Sequence, residues 1–165
     1  MRKLIISLSF VLFTGFAFSQ SPLYVGTSQL NVGVGLSNSG IPVYIGFDHA
    51  IARDFTIGAE LSYRANNEYW KTGYYDYNIF GVSGNLNYHF NNLLHVSPRW
   101  DIYAGLNVGF YAWSSPNNYD RNRTGLGLGG QFGVRYYFTN SLGLNLEFGG
   151  GNAFSGGKLG LSIRL

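Results

Sequence analysis

The sequence predicts an all-β fold, an eight-stranded antiparallel up-and-down transmembrane β-barrel, and three observations predict it. Behind an apolar N-terminal leader, runs that alternate apolar with small or polar residues recur eight times between Leu30 and Leu165. A period of two is the period of a strand with one oily face. Charged residues make up 12% of the chain, about half of the ~25% usual in soluble proteins, which is too few to cover a surface facing water. The third observation is the pairing of 18% aromatics with 24 glycines, which suits a barrel that is oily outside and filled with small residues inside.

The elements follow in order. Residues 1–19 are expected to be a signal peptide: Arg2 and Lys3 form a basic start, LIISLSFVLF an apolar core, and Ala17-Phe18-Ser19 a small-residue cleavage site before Gln20. The apolar stretch is shorter than the ~20 residues of a spanning helix. No cysteine occurs anywhere, which excludes a lipid attachment site, a disulfide framework and thiolate chemistry. Loss of Arg2 and Lys3 lowers the formal charge from +3 to +1. The remaining basic residues are scattered, so nucleic acid is not expected as a partner.

Residues 20–165 then form one barrel domain. Strands are expected at about Gln29–Leu36, Ile41–His49, Phe55–Arg64, Tyr77–Phe90, Trp100–Trp113, Gly125–Phe138, Leu142–Gly150 and Lys158–Leu165. Turn residues separate them: Asn38-Ser39-Gly40, Arg53-Asp54, Asn91-Asn92 with Pro98, Thr139-Asn140-Ser141 and Gly149-Gly150-Gly151-Asn152. No helix, linker or appended domain is expected after the leader. The two longest polar connections, Ala65–Asp76 and Ser114–Thr124, both follow odd-numbered strands. Outer-membrane barrels put short turns in the periplasm and longer loops outside, so the two long connections are assigned to the exterior and both termini to the periplasm.

A soluble lipocalin-type barrel has the same alternation with the faces exchanged. The second face argues against it, because positions such as Gly33, Gly46, Gly58, Ser83, Asn85, Asn107, Gly129, Gln131 and Asn145 are small or amide residues, not Lys and Glu. Such residues fit the filled interior of a narrow barrel. The oily face, including Leu126, Leu128, Phe132 and Val134, is then left to lipid. Aromatics at the strand ends, Phe55, Tyr88, Phe90, Trp100, Tyr136 and Phe138 on one side and Tyr63, Tyr77 and Phe110 on the other, fit two interfacial girdles.

The chemistry-bearing residues divide into two groups. Glu60, Arg64, Arg135, Glu147 and Arg164 fall on the small-residue face and form a candidate lumen charge network. The Thr139–Ser141 turn sets Arg135 opposite Asn145 and diagonal to Glu147, and one register of the last hairpin brings Arg164 near Glu147. The network reads first as a set of buried pairs that plug the lumen, and alternatively, with the same residues, as a gate for a narrow pore. In the long connections, Tyr69, Trp70, Tyr74, Tyr75, Tyr119 and Arg121 mix aromatics with polar groups as binding surfaces do. They are candidates for recognising an extracellular ligand or a host or cell surface.

Other patterns carry less. Gly125, Gly127 and Gly130 spell a G-x-G-x-x-G, but inside an alternating strand without a helix to receive phosphate. Asn122-Arg123-Thr124 matches a glycosylation sequon, which loop composition accounts for. His49, His89 and His95 are expected at periplasmic strand ends or turns, without the convergent ligands of a metal site. No catalytic grouping, metal or cofactor is expected. A lipid-modifying enzyme is the weakest alternative, because the outer half of the chain has no histidine.

Tyr88-His89-Phe90 before a turn, Asp101-Ile102-Tyr103-Ala104-Gly105-Leu106 opening the next strand, and the ending Gly160-Leu161-Ser162-Ile163-Arg164-Leu165 carry a family resemblance. With the whole mature chain, they resemble the small eight-stranded outer-membrane barrels of the OmpA transmembrane-domain and OmpX type, most of all the outer-membrane β-barrel proteins of Bacteroidetes. The ending resembles the C-terminal signal read by the barrel assembly machinery, with Leu165 where Phe is usual. The resemblance implies a monomer in the outer membrane of a Gram-negative bacterium, with outer-membrane lipid around it. Its role would be structural or surface-interacting, or alternatively that of a narrow, porin-like channel for small solutes.

Overall fold

A computed structural model of the chain describes residues 23–37, 41–70, 73–114, 124–151 and 155–165, with the backbone alone at 37, 66–70, 73–77, 113–114 and 124. The expected leader and residues 115–123, with Tyr119 and Arg121, lie outside the described residues. Eight strands are present: β1 (Ser28–Ser37), β2 (Val43–Ala52), β3 (Phe55–Trp70), β4 (Gly73–His89), β5 (Trp100–Ser114), β6 (Thr124–Tyr137), β7 (Leu142–Gly151) and β8 (Ser155–Arg164). Each pairs antiparallel with its neighbour, and β1 pairs with β8 to close the barrel in sequence order. Closure removes the exposed sheet edge that an open eight-stranded sheet would leave.

Burial runs opposite to that of a soluble protein. Along β2, Val43, Ile45 and Phe47 are exposed while Tyr44, Gly46, Asp48 and Ala50 are buried. Along β7, Leu144, Leu146 and Phe148 are exposed while Asn145 and Glu147 are buried. The outer surface is therefore a belt of Leu, Val, Ile and Phe, and the polar residues are the core. Rings edge the belt near the termini: Phe55 meets Tyr88 edge-on at 5.1 Å, Tyr88 meets Phe90 at 4.9 Å, and Trp100 meets Tyr136 at 4.8 Å.

The interior is narrow, and two glycines show why the second face is small. A Cβ at Gly133 would run into the Tyr103 ring, and a Cβ at Gly160 would meet the Tyr44 hydroxyl at 2.6 Å. Glycine gives these tyrosines the space to lie across neighbouring strands. The glycine-rich face is thus the seat of the large lumen side chains.

Two expectations are corrected. The segment Ala65–Asp76 is not a loop: β3 and β4 stay paired from Ala65↔Asn78 through Trp70↔Gly73, leaving only residues 71 and 72 between them. The apolar–polar alternation of a lipid-facing strand is missing from Asn66–Trp70 in the sequence, while the backbone pairing continues. A short helix, α1 (Asn91–Leu94), also follows β4 where only a turn was expected. Buried Asn91 builds it, donating from Nδ2 to the Trp100 carbonyl and accepting the Ile102 N–H on Oδ1 at 3.1 Å. His95 ends the helix in the left-handed conformation, φ 51.

Candidate functional site

The lumen begins, at the end near the termini, with a closely packed polar layer. Arg135 on β6 donates to Asp48 on β2 at 2.8 Å and to Asp101 on β5 at 2.9 Å. Its guanidinium lies 4.0 Å from the centre of the Tyr103 ring, a stacking geometry that suits a flat cation. Only 2% of its surface is exposed. A cation so enclosed needs both carboxylates, because a buried unpaired charge is strongly unfavourable.

Histidine extends the layer. His89 Nδ1 lies 2.6 Å from Asp101 Oδ1, and Nε2 lies 3.0 Å from the Thr56 hydroxyl. Ionised Asp101 can only accept, so Nδ1 carries the proton. The Thr56-His89-Asp101 order has the look of a nucleophile relay. All three are buried to within 1%, so the hydroxyl is closed off from solvent. On the other side Asp48 accepts from Asn31 at 2.9 Å and Gln29 at 3.3 Å, Ser162 donates to Asn31 at 2.6 Å, and Tyr137 donates to Gln29 at 2.5 Å.

Above this layer sits a second cluster. Lys158 on β8 donates to both Glu60 oxygens, at 2.7 and 2.8 Å, and to Glu147 at 3.0 Å. Tyr103 joins the clusters: its hydroxyl donates to Glu147 at 2.7 Å while its ring carries Arg135. The combined network draws a residue from every one of the eight strands. Its carboxylates, Asp48, Asp101, Glu60 and Glu147, are held by two cations, Arg135 and Lys158, with His89 on Asp101.

Beyond Lys158 the lumen opens into a cavity lined by Glu60, Arg64, Glu147 and Lys158 together with serines, amides and two tyrosines, Tyr44 and Tyr111. One wall, of Gly127, Gly129, Gly149 and Gly151, has no side chains to fill it. An amide chain crosses its lower part: Asn107 donates to Gln131 at 3.0 Å, Gln131 to Asn87 at 2.7 Å, and Asn87 to Asn85 at 3.0 Å.

The structure sorts the five expected lumen charges. Glu60 and Glu147 share Lys158, Arg64 lines the cavity above them, and Arg135 stands opposite Asn145 in the β6–β7 register. Arg164 does not meet Glu147, which is a correction. The β7–β8 register pairs Glu147 with Lys158, and six residues of strand, ~20 Å, separate Lys158 from Arg164. Arg164 instead donates to the Asn140 carbonyl at 3.2 Å and the Pro98 carbonyl at 3.4 Å, over the Tyr137 ring.

Sequence reasoning missed Asp48, His89, Asp101 and Lys158 as lumen members. Parity held the signal: Asp48 is in phase with Gly46, Asp101 with Tyr103 and Gly105, and Lys158 with Gly160 and Ser162. Of the expected recognition residues, Tyr69, Trp70, Tyr74 and Tyr75 lie on the extended β3–β4 hairpin.

No protein-family model matches the chain, and no curated protein matches it. Solved structures do. OprG, an outer membrane protein of Pseudomonas aeruginosa, superposes with a TM-score of 0.65 at 10% identity, covering 90% of this chain and 99% of that one. Neisserial surface protein A reaches 0.58 at 16% identity, covering 84% and 94%. Ail, the attachment invasion locus protein of Yersinia pestis, solved with the heparin analogue sucrose octasulfate, reaches 0.56 at 11% identity, covering 86% and 100%. What this chain shares with them is the fold, that of a small closed barrel spanning their full lengths.

Proposed function

We propose that the chain is a monomeric barrel of a Gram-negative outer membrane, with a plugged, ion-paired lumen and a structural or surface-interaction role. The observation that carries this is the network that crosses the lumen from all eight strands inside a belt of exposed apolar residues. A belt of that kind needs lipid, and a lumen filled by paired charges offers no continuous water path. The likeness in fold to barrels named as outer membrane and surface proteins supports the location. Residues 1–19 would be removed on export, and the barrel assembly machinery would insert the strands. Recognition of an extracellular ligand or cell surface would fall to the connections far from the termini, carrying Tyr69, Trp70, Tyr74, Tyr75, Tyr119 and Arg121. No cofactor and no catalytic step enter this reading.

The competing reading is a narrow channel for small solutes, favoured by the cavity that reaches down to Lys158. Conduction would require Lys158 to exchange partners and Arg135 to leave its carboxylates. Planar-bilayer recording of the purified protein separates the two. A plug gives a silent trace in the natural sequence and in Glu147→Ala, whereas steady conductance that changes with Glu147→Ala establishes the channel.

A further inference from the structure

Helix α1, at the closed end, carries a surface that neither the lumen nor the strands account for. Both of its asparagines are tied to the barrel. Buried Asn91 holds β5 through the Trp100 carbonyl and the Ile102 N–H. Asn92 donates to Asp54 and accepts from Arg53 at 3.1 Å. Anchors on two sides fix the helix, and its other residues, Leu93 and Leu94, are left 63% and 52% exposed. Two adjacent leucines on a rigid mount form an apolar surface that water disfavours.

What covers that surface follows from its surroundings. It continues the apolar belt: Phe90, immediately before α1, packs edge-on against Tyr88, and Trp100, beyond it, packs on Tyr136. From Phe90 to Pro98 the connection holds no Asp, Glu, Lys or Arg. Arginines flank it instead, Arg53 on Asn92 and exposed Arg99 directly after Pro98. Leucines set between arginines at the level of an aromatic girdle match a phospholipid surface, whose acyl chains take the leucines and whose phosphates take the guanidiniums. We infer that α1 is an interfacial foot, seated at the headgroup boundary of the leaflet at the closed end. Leu93 and Leu94 lie among the first acyl methylenes, and Arg53 and Arg99 meet phospholipid phosphates. The inference rests on the lipid-facing belt of the proposed function, and it holds whichever side of the membrane that end faces.

The test uses the mature chain, labelled at its leucine methyls, in phosphatidylcholine nanodiscs. Nuclear Overhauser contacts tell acyl methylenes from water at each methyl. Leu106, 72% exposed within the belt, is the internal standard. The methyls of Leu93 and Leu94 should give acyl cross-peaks, as those of Leu106 should. Water contacts alone at Leu93 and Leu94, beside acyl contacts at Leu106, would overturn the foot and leave the belt. Water contacts at Leu106 would remove the belt reading, and the foot with it. Mixing phosphatidylglycerol into the disc should then shift the Nε–H signals of exposed Arg53 and Arg99 and leave that of buried Arg135 in place. Signals of Arg53 and Arg99 that do not move would overturn the phosphate contacts. The natural sequence serves throughout, so no outcome depends on whether a variant folds.

Discussion

Arg135 is the residue on which the lower lumen turns. It is buried, it bridges Asp101 on neighbouring β5 and Asp48 on β2 across the lumen, and it caps the Tyr103 ring. Arg135→Ala would leave two carboxylates facing each other without their cation, and removing one partner from a buried pair costs about 3–5 kcal/mol. Arg164→Ala loses two bonds to exposed carbonyls and a ring contact, a loss of about 1 kcal/mol on the scale of an exposed cation–π contact. Urea unfolding of both variants in lipid vesicles checks the contrast, and equal losses would show that the lower network is not what holds the barrel's interior. Half of this was legible in the sequence. The turn at Thr139–Ser141 fixes its own hairpin register, so Arg135 opposite Asn145 could be read locally. Asp101 is Arg135's direct cross-strand partner in the β5–β6 pair, whereas Asp48 on β2 reaches it only across the closed barrel, and no local pattern encodes that second contact.

Strands were legible where one face meets lipid and the other the lumen, because that contrast writes the period of two into the chain. Beyond the rim it vanishes, and Asn66–Trp70 with Gly73–Asp76 reads as loop although it is paired strand. Helix α1 was illegible for another reason: its stability comes from Asn91 bonding to the Trp100 carbonyl and the Ile102 N–H across the turn, not from an apolar period in four residues. The outer belt makes its own prediction. Leu106 stands six residues inside β5 from Trp100 and is 72% exposed beside Gly130. On a strand tilted by ~40° that is roughly 15 Å along the barrel axis, near the middle of a ~25 Å apolar band. Leu106→Arg should therefore destabilise the folded barrel in vesicles by about 2–4 kcal/mol, against about 0–1 kcal/mol for Leu93→Arg in the terminal turn. Equal effects would mean that the exposed belt does not face lipid.

The molecule as a whole is inside out relative to a soluble domain, and that inversion determines what it can offer each side of a membrane. The start of β1, the end of β8, the Arg53-Asp54 turn, α1 and the Thr139–Ser141 turn lie at one end, beside the closed polar layer. The paired extension of β3 and β4 and the lumen cavity lie toward the other. On the proposed export and orientation, the closed end would face the periplasm, and the cavity and the long hairpin would face the exterior. The absence of cysteine from the whole sequence makes this orientation directly readable, since a single introduced thiol is the only one in the protein. Lys71→Cys, between β3 and β4, should react on intact cells with a maleimide carried on a polymer too large for porins. Leu93→Cys, exposed in α1 at the opposite end, should react only after the outer membrane is permeabilised. The reverse pattern would turn the barrel over, putting the cavity toward the periplasm and moving any surface recognition away from Tyr69, Trp70, Tyr74 and Tyr75. Labelling of both sites on intact cells would remove the chain from the membrane-spanning class, because a lipid-embedded barrel cannot show both of its rims to the same compartment.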